Sequence, residues 1–200
     1  MSSSALRQTL TAHPPYAAPP ALLAITGASG AGKTAAVAAL HRCIEPRVLP
    51  VLGFDSLGVP TPEEMRVGWE SPRAWQKAMT WFWVRAAKTV HRTRPLVVLE
   101  GSFDPQYAVA ACAANGIARL QLVVLDADVA VLEKRLAARG HKELANADLA
   151  PWATYLRDST KTLGGAIVDA SRDLSEVVEA LCALALPLVK DSTATVGRDT

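Results

Sequence analysis

The residues best equipped for chemistry lie together in Gly27-Ala28-Ser29-Gly30-Ala31-Gly32-Lys33-Thr34. The stretch fits G-x-x-x-x-G-K-[ST], with Gly27 and Gly32 as its framing glycines. A loop that wraps a phosphate must turn several backbone N–H groups inward. Glycine tolerates both the dihedrals and the close approach that this requires. The helix expected to follow adds its N-terminal dipole, Lys33 adds a mobile charge, and the Thr34 hydroxyl can ligate Mg²⁺. All eight residues are therefore expected to hold a nucleoside triphosphate.

Four further groups could serve a reaction at that phosphate. Asp55 follows an apolar run and could take or steer the proton of an acceptor hydroxyl during phosphoryl transfer. Its competing reading is a cap on the next turn, together with Ser56. Glu100 ends another apolar run, where a Mg²⁺-binding carboxylate would stand, and Gly101 clears space beside it. Asp126, at the end of an equally apolar run, competes for that role. Arg135 and Arg139 are four apart on a predicted helix, so both project from one face and could meet the negative charge of the transferring group. Trp69, Arg66 and Arg73 flank a turn-rich connection and could line an acceptor site. The aromatic residues from Trp69 to Trp83 read first as core.

The elements that must position these groups alternate along the chain. Strands are expected at 21–25, 48–54, 95–99, 120–125 and 166–168. The helix after the phosphate loop should stop near 43–44, ahead of Pro46. Thr61-Pro62-Glu63-Glu64 is a capping-box start, and Ser71-Pro72 opens a long helix to about Arg92. The stripe Trp75, Met79, Phe82 and Ala86 marks its buried face. Asp104-Pro105 starts a helix that Asn115-Gly116 stops, and Asp128 caps the helix 129–139. Helices over 151–163 and 174–186 complete the series. Such alternation predicts an α/β fold: a five-stranded parallel sheet with helices on both faces, and ligands at the carboxyl ends of the strands. Those ends carry Gly27, Asp55, Glu100, Asp126 and Asp169, so acidic groups should converge on the loop. A short lid is expected at 140–148, a flexible leader at 1–20 and a flexible tail at 187–200 around one domain, 21–186.

Composition narrows the class. Of 200 residues half are apolar and 20% charged, enough for a proper core. A net charge of +2 gives no sign of a nucleic-acid-binding surface. No apolar stretch reaches membrane-spanning length. The leader has no apolar signal core, and Cys43, Cys112 and Cys182 read as buried thiols of a reducing compartment. The histidines show no metal-binding spacing. The expectation is a soluble, cytoplasmic domain.

Taken together, residues 21 to about 185 resemble the nucleoside-monophosphate-kinase-like branch of P-loop small-molecule kinases. GASGAGKT matches the phosphate loop, and LVVLEGSFDP resembles the strand-then-acid segment of adenylate-kinase-like enzymes. LDADVAVLEKRLAARG looks like the helix leading into their lid, with the two lid arginines at Arg135 and Arg139. GFDSLG is similar to the loop that carries the catalytic aspartate in chloramphenicol phosphotransferase and, more distantly, shikimate kinase. The lid is short and has no cysteines, which excludes a zinc-bearing one. N-K-x-D and LSGGQ-like signatures are absent. The resemblance implies ATP and Mg²⁺ as cofactors and a small hydroxylated or phosphorylated acceptor: a nucleotide, a sugar or an antibiotic. The reading from a different class is a nucleotide-binding regulatory protein or NTPase without such an acceptor.

Overall fold

The computed structural model describes residues 19–40, 43, 44 and 49–193. Its strands are β1 (Ala21–Thr26), β2 (Val51–Gly53), β3 (Val97–Glu100), β4 (Arg119–Asp126) and β5 (Ala166–Asp169). All pair in parallel, in the order β2-β3-β1-β4-β5. The helices are α1 (Lys33–Leu40), α2 (Pro62–Trp69), α3 (Pro72–His91), α4 (Pro105–Asn115), α5 (Val129–Ala138), α6 (Leu149–Thr162) and α7 (Leu174–Thr193). A 3-10 turn at Lys142–Leu144 lies in the segment where the sequence suggests a lid.

Side chains alternate across a strand, and here they divide the core in two. Leu22, Ala24, Val97, Leu99 and Leu122 pack with Trp75, Trp83 and Val84 of α3 and Ala108 of α4. Leu23, Ile25, Val98, Val123 and Leu125 pack with Val37 of α1, Leu132 of α5 and Leu181 of α7. Every residue of β1 is buried, as a central parallel strand covered on both faces must be. The predicted starts of α2, α3 and α4 hold: Thr61 and Glu64 form the full capping box, Ser71 accepts from the Ala74 N–H, and Asp104 from the Gln106 N–H.

Several expectations are revised. The buried face of α3 is Trp75, Thr80, Trp83, Val84 and Ala87, while Phe82 is 48% exposed. Trp83 turns inward because its indole N–H reaches a buried acceptor, Phe54 O, at 3.0 Å, and Phe82 lies edge-on outside it. Asp128 occupies the N-cap position of α5 but its side chain makes no cap bond. Helix α6 begins at Leu149, so Pro151 falls within the first turn, where a missing N–H costs nothing. Helix α7 continues through Pro187 to Thr193. Leu184, Leu186, Leu188 and Val189 pack against the core there, and the Arg119 guanidinium donates to Leu188 O at 2.8 Å. That packing offsets the backbone bond that proline removes. The leader as far as residue 18 and the tail from 194 lie outside the described residues.

The thiol expectation fails for two cysteines. Cys43, just after α1, and Cys182, on α7, form a disulfide across a Cα–Cα distance of 6.3 Å. They are 139 residues apart in sequence, so only the packing of α1 on α7 brings them together. Cys112 is a buried free thiol whose pKa burial pushes up to about 12, which keeps it protonated and inert. Among the described residues no helix is long and apolar enough to cross a membrane.

Candidate active site

The loop between β1 and α1 comprises residues 27–32, seated by contacts rather than merely by flexibility. A Cβ on Gly27 would stand 2.7 Å from the carbonyl oxygen of Leu125, and one on Gly30 2.8 Å from that of Leu132. Both glycines thus let the loop press onto β4 and α5. Ala28 and Ala31 are buried beneath it, and Ser29 is half-buried at its rim. Gly32 serves a different purpose. Its φ of +86° is left-handed, yet an added Cβ would meet nothing nearer than Arg135 Nη1 at 4.0 Å. The glycine permits the turn, and the space beside it stays open, as a phosphate cradle needs.

Lys33 and Thr34 open α1 directly behind this cradle. The Lys33 ammonium donates to Gly27 O at 2.8 Å and Ala28 O at 3.1 Å, folded back along the loop. Burial lowers its pKa, and the charges of Glu100 and Asp55 work against that shift. The Thr34 hydroxyl donates to Glu100 Oε1 at 3.3 Å. Burial in turn raises the Glu100 carboxyl, opposed by Lys33 and the Thr34 bond and aided by the Asp55 charge. Lys33, Thr34, Asp55 and Glu100 therefore form one electrostatic cluster at the carboxyl edge of the sheet.

Asp55 reaches that cluster because Phe54 is fixed on three sides. The Phe54 N–H donates to Glu100 O at 2.8 Å, its carbonyl accepts from Trp83, and its ring packs against Trp75 and Phe103. A Cβ on Gly101 would lie 2.2 Å from Phe54 Cβ. Gly101 thus makes room for Phe54, where the sequence suggested room beside Glu100. The Asp55 carboxylate makes no hydrogen bond among the described residues. The turn after it closes without it, through Ser56 Oγ donating to Gly53 O and Gly58 N–H donating to Asp55 O. Burial raises the Asp55 pKa, with Lys33 opposing.

The expected convergence of acids is only half realised. Asp126 Oδ2 sits 3.5 Å from Arg157 Nη1 of α6. Asp169 accepts the Ser171 N–H and faces Arg172 in an exposed turn, which lowers its pKa, the backbone bond first. Glu100 is thus the strand-end carboxylate at Thr34. The Thr34 hydroxyl and Glu100 carboxylate are oxygen donors of the kind Mg²⁺ takes, one or two carboxylates alongside substrate phosphates and several waters.

Arg135 and Arg139 do face one place. With Gly32, Ala35, Arg172 and Leu174 they line a cavity of about 200 Å³ beside the loop, and the Arg139 charge acts on Lys33. Leu132 and Leu136 hold the opposite face of α5 in the core.

Of the three candidate acceptor residues only Arg73 borders the cavity of about 400 Å³ that Pro72, Arg73, Gln76, Asp104, Trp152 and Tyr155 line. Arg66 pairs with Glu63 on α2, and Trp69 lines a separate groove with Leu57 and Val59. Sequence reasoning missed Trp152, Tyr155 and Gln76. It also missed Thr26, whose buried hydroxyl donates to Phe103 O at 2.8 Å and so fixes the segment after β3. A pair of aromatics three apart in α6 was the available signal for Trp152 and Tyr155.

This geometry has counterparts among solved structures. No family model matches the sequence, and no curated protein matches it. A gluconokinase from Sinorhizobium meliloti superposes with a TM-score of 0.60 at 22% identity, over 88% of this chain and 97% of that one. The chain has the fold of P-loop small-molecule kinases. An APS kinase from Mycobacterium tuberculosis (TM-score 0.55, 15% identity) shares it over 84% of this chain and 98% of its own. So does a tunicamycin resistance protein from Deinococcus radiodurans (TM-score 0.55, 17% identity), over 84% and 95%.

Proposed function

We propose that the protein is a Mg²⁺-dependent phosphotransferase that moves the γ-phosphoryl group of ATP to a hydroxyl of a small metabolite. The observation that carries this is the Asp55 carboxylate, which follows β2 at the carboxyl edge of the sheet within electrostatic reach of Lys33 and Glu100 and makes no hydrogen bond among the described residues. A pure nucleotide sensor has no use for an acceptor base. The kinases among the structural neighbours make the same class of reaction the natural expectation.

Each residue then has a task. The loop 27–32 cradles the phosphates through its N–H groups. Lys33 exchanges the Gly27 and Ala28 carbonyls for phosphate oxygens and balances their charge. Thr34 and Glu100 are the residues that would hold Mg²⁺, whose charge would offset that of the phosphates. The acceptor oxygen attacks the γ-phosphorus in line as the P–O bond to the leaving ADP breaks, and the hydroxyl proton passes to Asp55, whose burial-raised pKa makes it a stronger base than a solvated aspartate. Arg135 and Arg139 stabilise the equatorial oxygens of the transferring group, with the rest of the nucleotide along their cavity.

The test is Lys33→Ala. Nucleotide-dependent activity should be nearly abolished while circular dichroism and thermal unfolding stay those of the parent. Full turnover by a folded Lys33→Ala protein removes the assignment.

A further inference from the structure

The cavity between α3, α6 and the segment after β3 reveals what kind of acceptor the site takes. Two of its lining residues, Gln76 and Trp152, are bonded to Ser102, which is two residues beyond Glu100, so the Cα atoms of Ser102 and Glu100 are at most about 7.6 Å apart. Gln76 Nε2 donates to Ser102 O at 3.2 Å and Trp152 Nε1 to Ser102 Oγ at 2.9 Å, binding α3 and α6 to the segment after β3. Tyr155 OH donates to Asp104 Oδ2 at 2.8 Å, and Asp104 Oδ1 accepts the Gln106 N–H. Asp104 is only 3% exposed, and both its oxygens are engaged. The wall above is the Trp152–Tyr155 stack, with centroids 5.4 Å apart and planes 17° from parallel.

One charged group on this cavity, the exposed Arg73, keeps its terminal nitrogens free of hydrogen bonds, while the Asp104 charge acts on it from beyond ion-pair distance. Arg73 donates through Nε to Tyr107 OH at 2.9 Å, which fixes the plane of its guanidinium. Its terminal nitrogens make no hydrogen bond, and no carboxylate lies within 4.0 Å of them among the described residues. An oriented, unpaired guanidinium fork beside an aromatic wall matches a planar or tetrahedral oxyanion bound in two-point fashion. The aromatic wall suits the apolar face of a ring or polyol carbon chain.

We infer that the acceptor is a hydroxylated small molecule bearing an oxyanion, carboxylate or phosphate. Arg73 grips the oxyanion, and the Trp152–Tyr155 stack covers the carbon frame. This rests on the phosphotransferase reading above and adds the acceptor's charge to it. Arg73 is accordingly a specificity-determining residue.

The experiment uses the full chain with Mg²⁺·ATP and acceptors in matched pairs: gluconate against glucitol for the carboxylate, and glucose 6-phosphate against glucose for the phosphate. Binding is read by calorimetry in the presence of a non-hydrolysable ATP analogue, and turnover by ADP release. At least one anionic member should bind at least tenfold more tightly than its neutral partner, and the pair in which this occurs tells carboxylate from phosphate. Arg73→Ala should raise the KM of that anion by about 10- to 100-fold with kcat little changed, the range for a lost charged hydrogen bond. It should leave the neutral partner unaffected, and Arg73→Lys should recover part of the loss. Preference for a neutral member, binding by none of the anions, or an Arg73→Ala protein that treats both members as the parent does overturns the inference. Analogue affinity, measured on the same samples, separates the two levels. If the analogue does not bind, the phosphotransferase reading itself has failed. If it binds while neutral acceptors win, only the charge of the acceptor was misjudged.

Discussion

Gly101→Ala tests whether the carboxylates proposed to act in transfer are placed by the packing of Phe54. The added methyl would lie 2.2 Å from Phe54 Cβ, 3.1 Å from Cγ and 3.4 Å from Cα. Carbon atoms sit comfortably at about 3.5–4.0 Å, so the two segments must part by more than ~1 Å. A flexible side-chain end could swing away, but these are the first atoms of a fully buried ring that abuts Trp75 and Phe103. The strain should therefore fall at the upper end of the usual overpacking cost, about 3 kcal/mol. In a chain of this size that is a Tm loss of roughly 6–12 °C. Asp55 adjoins Phe54 and would move with it, so kcat for acceptor phosphorylation should drop by about 10²-fold, as ångström-scale misplacement does. ATP affinity should change only a few-fold, because the atoms nearest the new methyl all belong to Phe54. Gly68→Ala is the control: it lies inside α2 with no atom within 4 Å of the new methyl, and should stabilise by about 1 kcal/mol. Calorimetry and steady-state kinetics on both variants decide the matter. A Gly101→Ala protein with parental Tm and kcat would refute the packing argument.

Three further outcomes follow from other contacts. The Cys43–Cys182 bridge closes 139 residues, worth about 5 kcal/mol of unfolded-state entropy, so reductant or Cys43→Ser should lower Tm by roughly 10–20 °C. Titration of the unreduced, unfolded chain should find one thiol, Cys112, and three would exclude the bridge. Glu100 has a folded-state pKa raised by burial, so its stability contribution is fully present below the ordinary value of 4.5 and lost as pH rises through the folded value. Glu100→Gln should then raise the Tm of the nucleotide-free protein at neutral pH, lose that gain below pH ~4 and weaken the Mg²⁺ dependence of turnover. A Tm difference that grows on acidification contradicts the sign. Arg135→Ala and Arg139→Ala should each lower kcat by about 10²-fold, more than they raise the KM for ATP. Equal, small effects on both constants would make them surface residues.

The glycine-rich turn between β1 and α1 and the five strands were legible because their signals are local: a glycine spacing, short apolar runs, caps with proline behind them. What escaped the sequence is how distant groups spend their hydrogen bonds. Asp126 and Glu100 end equally apolar strands, but Arg157 on α6 engages one while Thr34 meets the other. Periodicity placed Phe82 inside α3, whereas the indole of Trp83 had a buried carbonyl to satisfy and took that side. Trp152 and Tyr155 join the site only because α6 returns over the segment after β3. Cys43 and Cys182 meet for the same kind of reason.

The central claim is phosphoryl transfer assisted by Asp55, and γ-labelled ATP tests it most directly. Parent and Asp55→Asn proteins are incubated with Mg²⁺, labelled ATP and the acceptor that the parent phosphorylates, with ATP affinity measured on the same preparations. The account predicts labelled acceptor from the parent, a ~10²- to 10⁴-fold slower transfer from Asp55→Asn, and ATP affinity within a few-fold of the parent. Collapse of ATP affinity with unchanged transfer per bound nucleotide, or label released by the parent only as inorganic phosphate with every acceptor tried, would contradict it.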